Sequence, residues 1–170
     1  LLEHGLWGID GVVFLDEEDR KMICVRKGFR VMKVSQSGVP LSRRFAFYDQ
    51  IHTTGMDIKH RLSAHAAITL SKDMVFRDYA QGAFRMRGIG KGQTICVMII
   101  PEVQRLIIQD MAKCGGSDSA SKSASLASQQ AVQNARSAPV GGPGDVPLLR
   151  AVCAWLIINS MHTEKLQFNL

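Results

Sequence analysis

Apolar and polar positions change rhythm along the chain. Up to residue 50 the apolar residues fall in short runs: Val12 to Leu15, Met22 to Val25, Val31 to Val34 and Phe45 to Tyr48. The first two are divided by Asp16-Glu17-Glu18-Asp19, and Lys27-Gly28 marks the next turn. The first three runs, separated by polar or glycine turns, predict an antiparallel β-meander. Ser35 to Arg44 reads as a loop, and Phe45 to Tyr48 as a strand that ends in a carboxylate, Asp49. From residue 64 the pattern alternates between strand and helix. Ala64 to Leu70 is predicted as a strand, and Ser71 as the cap of a helix over Lys72 to Met86. Val75, Phe76, Tyr79, Ala80, Ala83 and Phe84 form its apolar stripe, while Arg77, Gln81 and Arg85, four apart, share another face. Thr94 to Ile100, with almost no polar residue, predicts a strand buried on both faces. Pro101 then opens a helix to about Lys113, with Val103, Leu106, Ile107 and Met111 inward.

Past residue 114 the composition shifts to Ser, Ala, Gly and Gln, which predicts a flexible low-complexity linker over 115–145. Residues 146–170 open another helical segment, with Leu148, Leu149, Val152, Trp155 and Leu156 on one stripe. That stripe is expected to pack on a segment outside these residues. The expected domains are therefore an α/β module over 1–114, the linker, and the start of a helical region. The strand–helix–strand–helix order of 64–113 argues an α/β core with a right-handed crossover.

At 170 residues and 46% hydrophobic, the chain is long enough for one core. It starts with Leu rather than Met and ends inside a helical pattern, which reads as a fragment of a longer protein. The net charge of +6 suits phosphate, nucleic acid or an acidic protein as partner, and equally an ordinary solvated surface. No apolar run approaches the ~18 residues that span a bilayer, so no membrane partner is expected. The cysteines, at 24, 96, 114 and 153, form neither CxxC nor a zinc-ligand spacing. No metal site and no disulfide is signalled, and an intracellular, cytoplasmic setting is expected.

The candidate chemistry lies between His52 and Pro101. Arg85 and Arg87 offer planar forks that match phosphate oxygens. Lys91 stands in a loop punctuated by Gly88, Gly90 and Gly92, whose backbone N–H groups could face an anion. Asp57 follows Gly55 in a turn, and Gln81 lies one helical turn before Arg85. Asp57, Gln81, Arg85, Arg87 and Lys91 are thus the candidate nucleotide- or phosphate-binding residues. The alternative is that the arginines are solvated at a helix C-terminus, where cations are favoured. His52, between Asp49 and Asp57, is the one candidate catalytic group; the competing reading is a loop histidine satisfied by a carboxylate.

Thr54-Gly55-Met56-Asp57, followed by a strand and then Gln81-Gly82-Ala83-Phe84-Arg85-Met86-Arg87, resembles the last two motifs of DEAD/DEAH-type helicases, T-x-G-x-D and Q-x-x-G-R-x-G-R. Phe84 replaces the usual glycine and Arg87 comes one position early. Asp49-Gln50-Ile51-His52 resembles D-E-x-H with Gln in place of the water-activating Glu, and no P-loop sequence occurs. The resemblance implies a RecA-like, helicase C-terminal-like sheet with flanking helices, with Gln81 and Arg85 facing a nucleotide. It implies ATP with Mg2+ as a possible cofactor, nucleic acid as a possible partner, and a further upstream domain.

The longer run is more specific. Tyr48-Asp49, His52 to Asp57, Ala66 to Leu70, Lys72-Asp73, Arg85 to Gln93 and the segment from Trp155 to Ser160 are similar to very large eukaryotic proteins labelled ubiquitinyl hydrolases. This likeness implies a thiol peptidase acting on ubiquitin or ubiquitinated protein. A catalytic thiolate wants a helix N-terminus and a neighbouring histidine. Cys114 falls at a helix C-terminus, Cys24 and Cys96 in apolar strands, and Cys153 mid-helix. The expected nucleophile therefore lies outside these residues. Three readings stay open: a non-peptidase module of a deubiquitinase, a helicase-like or nucleic-acid-binding module, and a structural α/β domain.

Overall fold

A computed structural model describes residues 1–53, 56–114 and 145–168, together with 126 and 130. Apart from 126, 130 and 145, the predicted linker over 115–145 lies outside the described residues, as do Thr54 and Gly55. The class is mixed α/β, with a four-stranded mixed sheet, a two-stranded parallel sheet and helices.

The meander forms where the short apolar runs place it. β1 (Gly11–Leu15), β2 (Lys21–Val25) and β3 (Arg30–Lys33) are antiparallel neighbours, and β4 (Arg44–Ala46) adds parallel to β1, giving the order β3-β2-β1-β4. The acidic β1–β2 tip is closed by a basic residue. Arg20 Nε donates to Asp16 at 2.8 Å and its Nη2 to Glu18 at 2.7 Å. Arg26, just past β2, donates to the carbonyls of Leu2, Gly5, Leu6 and Ile9, fastening the first nine residues to the sheet.

β5 (His65–Thr69) and β6 (Thr94–Met98) pair in parallel, with α1 (Phe76–Ala83) between them in sequence. α2 (Pro101–Cys114) and α3 (Asp145–Phe168) follow. The chain divides into two compact units, residues 1–66 with 81–95 and residues 67–80 with 96–170.

In the first unit, Val13, Ile23 and Ile58 are buried, with Val25, Met32, Val34, Val39, Ala46 and Tyr48 packed around them. In the second, Leu70, Val103, Ile107, Ala151, Val152, Trp155 and Leu156 form the core. The apolar stripe of α3 therefore packs on α2 and β6 neighbours, not on a segment outside these residues. Leu149 is not part of it: at 46% exposure it faces solvent, and Ala151 takes its place.

Two other expectations change. β6 is not buried on both faces; Cys96 and Met98 are exposed while Ile95 and Val97 are half-buried, so one face of this pair is open. α1 covers eight residues and not Lys72 to Met86. At its start Met74 N donates to Ser71 O in a turn, and the carbonyls of Lys72 and Met74 accept from Asn159 Nδ2 on α3. Phe76 N donates to Ser160 Oγ at 3.2 Å, so the cap comes from α3 and not from Ser71. At its end, Arg85 N and Met86 N donate to Gly82 O and Ala83 O, bonds of three-residue reach that tighten the chain out of the α-helix.

Candidate functional site

The candidate residues gather in the first unit, where the segment 57–64 runs beside 85–94. Burial sets the first segment in place. Ile58 is 6% exposed in the sheet core, and its N–H donates to the Tyr48 hydroxyl at 2.6 Å. Asp57 is thereby held at the rim of the core with its carboxylate outward. In the second segment Met86 is buried, and the residues on either side of it, Arg85 and Arg87, both reach Asp57. Arg85 Nη1 donates to Asp57 Oδ1 at 2.6 Å. Arg87 donates through Nε to Oδ2 at 3.0 Å and through Nη2 to Oδ1 at 3.1 Å, a fork-on-carboxylate pair. The Arg85 side chain is largely covered, whereas those of Arg87 and Asp57 are 59% and 45% exposed.

Farther along, the same two segments are joined by Gln93, 7% exposed and the one buried polar side chain among the described residues. Its Oε1 accepts from Gly88 N and its Nε2 donates to Arg61 O, both at 2.7 Å. A Cβ on Gly88 would stand 2.8 Å from the Gln93 side chain, so only glycine admits the clamp. Gly92 adopts φ +106°, and a Cβ there would approach Leu62 O to 3.0 Å. Thr94 N continues the zip by donating to Ala64 O at 3.1 Å.

Four amides of the glycine loop are taken up within the chain. Gly88 N is taken by Gln93, Ile89 N donates to Met86 O, and Lys91 N and Gln93 N both donate to Gly88 O. What the loop does present is charge. Lys59, Arg61, Arg87 and Lys91 are exposed, and Lys59, Arg61 and Lys91 have no ion-pair partner among the described residues. Two adjacent segments thus carry Lys59, Arg61, Arg85, Arg87 and Lys91 against one carboxylate, Asp57.

The sequence-predicted residues part company here. Asp57, Arg85 and Arg87 come together, and Lys91 lies in the loop clamped to them. Gln81 sits half-buried on α1, and no hydrogen bond joins it to Asp57, Arg85 or Arg87 among the described residues. Arg85 lies beyond the end of α1, so the four-residue spacing to Gln81 does not put both on one helix face. His52 stands apart from this cluster. Its Nδ1 is 2.6 Å from Asp49 Oδ1 and its Nε2 is 3.8 Å from Asp19 at the hairpin tip, so the second carboxylate beside it is Asp19 and not Asp57. The hydrogen bond from His52 N holds the Asp49 carboxyl below its usual range.

Sequence reasoning passed over Tyr48, His60 and Gln93. Burial pushes the Tyr48 phenol up and the His60 imidazole down, with the nearby Asp57 charge opposing the shift of His60. The rings of Tyr48 and His60 lie 6.3 Å apart. His60 Nε2 is buried without a hydrogen-bond partner among the described residues. For Gln93 a signal existed: it is a lone amide between a glycine run and an apolar strand.

No cysteine is set for catalysis among the described side chains. Cys24 and Cys153 are half-buried, Cys96 is exposed, and none is hydrogen-bonded to a histidine; the Cys114 side chain lies outside the described residues. No described helix is long and apolar enough to cross a membrane. Compared with protein-family models, curated proteins and solved structures, the chain matches none.

Proposed function

We propose that the chain contributes an anion-recognising α/β module to a ubiquitinyl-hydrolase-like protein. In this reading its ligand carries phosphate, as a nucleotide does, and binds at Arg85 and Arg87. The observation that carries the reading is the convergence of both guanidinium groups on one carboxylate, at 2.6 to 3.1 Å, in segments that also carry the exposed Lys59, Arg61 and Lys91. Two forks already aimed at one pair of oxygens are pre-organised for the oxygens of a phosphate. Asp57 then holds the arginines in position until a ligand displaces it.

The finer parts of the reading rest on the motif resemblance. β5–α1–β6 is taken as part of a RecA-like sheet, with Asp57 and Arg85–Arg87 standing where helicase-type motifs place their ligand groups. The donor set fits phosphate. Among the described residues no three carboxylate, histidine or cysteine groups gather to hold a metal ion, so no step is assigned to Mg2+. The thiol chemistry implied by the ubiquitin resemblance is assigned to residues other than Cys24, Cys96 and Cys153, and ubiquitin would be met by the parent protein.

A second reading is favoured by one observation: Asp57 already pairs with both arginines, as a structural tie would. The two readings separate by titration. ADP or ATP at a hundredfold excess over Kd should stabilise the wild-type chain by about 2.7 kcal/mol, raising its melting temperature. Arg87→Ala, at an exposed position, should abolish most of that rise. A wild-type chain whose melting temperature ignores both nucleotides leaves only the structural reading.

A further inference from the structure

We infer that Gln93 is a positioning residue that makes the two basic segments act as one site, selecting ligands with several linked phosphates over a single phosphate. This rests on the anion reading above and deepens it. Arg85 and Arg87 belong to one segment, Lys59 and Arg61 to the other. The carboxylate of Asp57 links the segments at one end, but a ligand that takes the arginines must displace that link. Two connections remain, the Thr94 N to Ala64 O bond at the far end and Gln93, which lies between it and the arginines and is the one made by a side chain. It is buried, it donates to the carbonyl of Arg61, and it accepts from the amide directly after Arg87. Both bonds are at 2.7 Å, and the side chain is packed against Gly88, where any Cβ would intrude.

The chemistry of an amide suits this position. A glutamine satisfies one donor and one acceptor of the backbone at once, which neither a carboxylate nor an apolar side chain can do. By fixing the Arg61 backbone to the Arg87–Gly88 peptide, it fixes the spacing of the cations that those backbones carry. A second phosphate bound at Lys59 or Arg61 then adds to the first without a fresh ordering cost, which is the gain of linked contacts. A single phosphate on Arg85 and Arg87 draws no such benefit.

The test compares inorganic tripolyphosphate with inorganic orthophosphate on the full chain, by calorimetric titration at low salt. Wild type should prefer tripolyphosphate by well beyond the statistical factor for three phosphates. Gln93→Leu keeps the bulk and removes both bonds; it should lower the ratio of the two affinities about tenfold, part of the gain of roughly 10²–10⁴ that linked contacts can give. Gln93→Glu keeps the acceptor for Gly88 N and loses the donor to Arg61 O, and should give an intermediate ratio. A variant that is merely less stable lowers both affinities together and leaves the ratio alone. An unchanged ratio in both variants overturns the role of Gln93 while leaving the anion site standing. Failure of wild type to bind either anion overturns the site itself and this inference with it.

Discussion

The carboxylate of Asp57 owes its position to the residue after it. Ile58 buries its side chain in the sheet core, a gain of about 1.5–3 kcal/mol for such a residue, and the Tyr48 hydroxyl receives its N–H. This is why an exposed acid meets two arginines from a segment almost thirty positions away. His60, two residues past Ile58, reports on the same packing. Its imidazole is held below the ordinary histidine value of 6.5, first by burial, with Asp57 opposing. The sign follows from linkage: a group whose folded pKa is depressed contributes its stability above the unfolded value, and loses it as pH falls through the folded one. Wild-type stability should therefore decline as pH drops below 6.5. His60→Asn should flatten that part of a urea-midpoint profile. A profile with the same slope in both proteins would show that His60 is not the titrating group.

At the scale of elements, legibility divides by range. The meander could be read because strand period and turn residues are local properties; β1, β2 and β3 fall within one residue or so of the runs that announced them. α1 could not be read to its ends. Its N-terminus is set by residues more than eighty positions away: Asn159 donates to the carbonyls of Lys72 and Met74, and Ser160 accepts from the amide of Phe76. Ser160 Oγ also donates to Leu156 O within its own helix, so it bridges two backbones. Ser160→Ala should cost about 1 kcal/mol, the usual worth of a side-chain cap, measured by chemical denaturation. Ser71→Ala should cost a few tenths at most, since Ser71 does not cap the helix. The reverse ranking would show that the local cap governs after all. β6 was misjudged for a related reason: an apolar composition does not say how many layers cover a strand, and here Met98 remains 52% exposed.

At the scale of the molecule, the candidate site was half legible. Asp57, Arg85, Arg87 and Lys91 could be named from motif-like spacing, because the chemistry of an anion site restricts residue type. That Asp57 engages both arginines, that Gln93 joins Arg61 to Gly88, and that the amides of Gly88 and Gln93 are used within the chain all depend on how 57–64 runs beside 85–94. No local pattern encodes that pairing. The net charge of +6 is concentrated by it, since the two segments carry five cations and one carboxylate, which pairs with Arg85 and Arg87. Whether that carboxylate guards a site or ties a scaffold is decided most directly by ADP affinity in Asp57→Asn. Removing one negative charge about 4 Å from a bound phosphate is worth on the order of 1 kcal/mol even in water. The account predicts that Asp57→Asn binds ADP about fivefold more tightly than wild type in isothermal titration at low salt, with the advantage shrinking as salt rises. Equal or weaker binding by Asp57→Asn would contradict it.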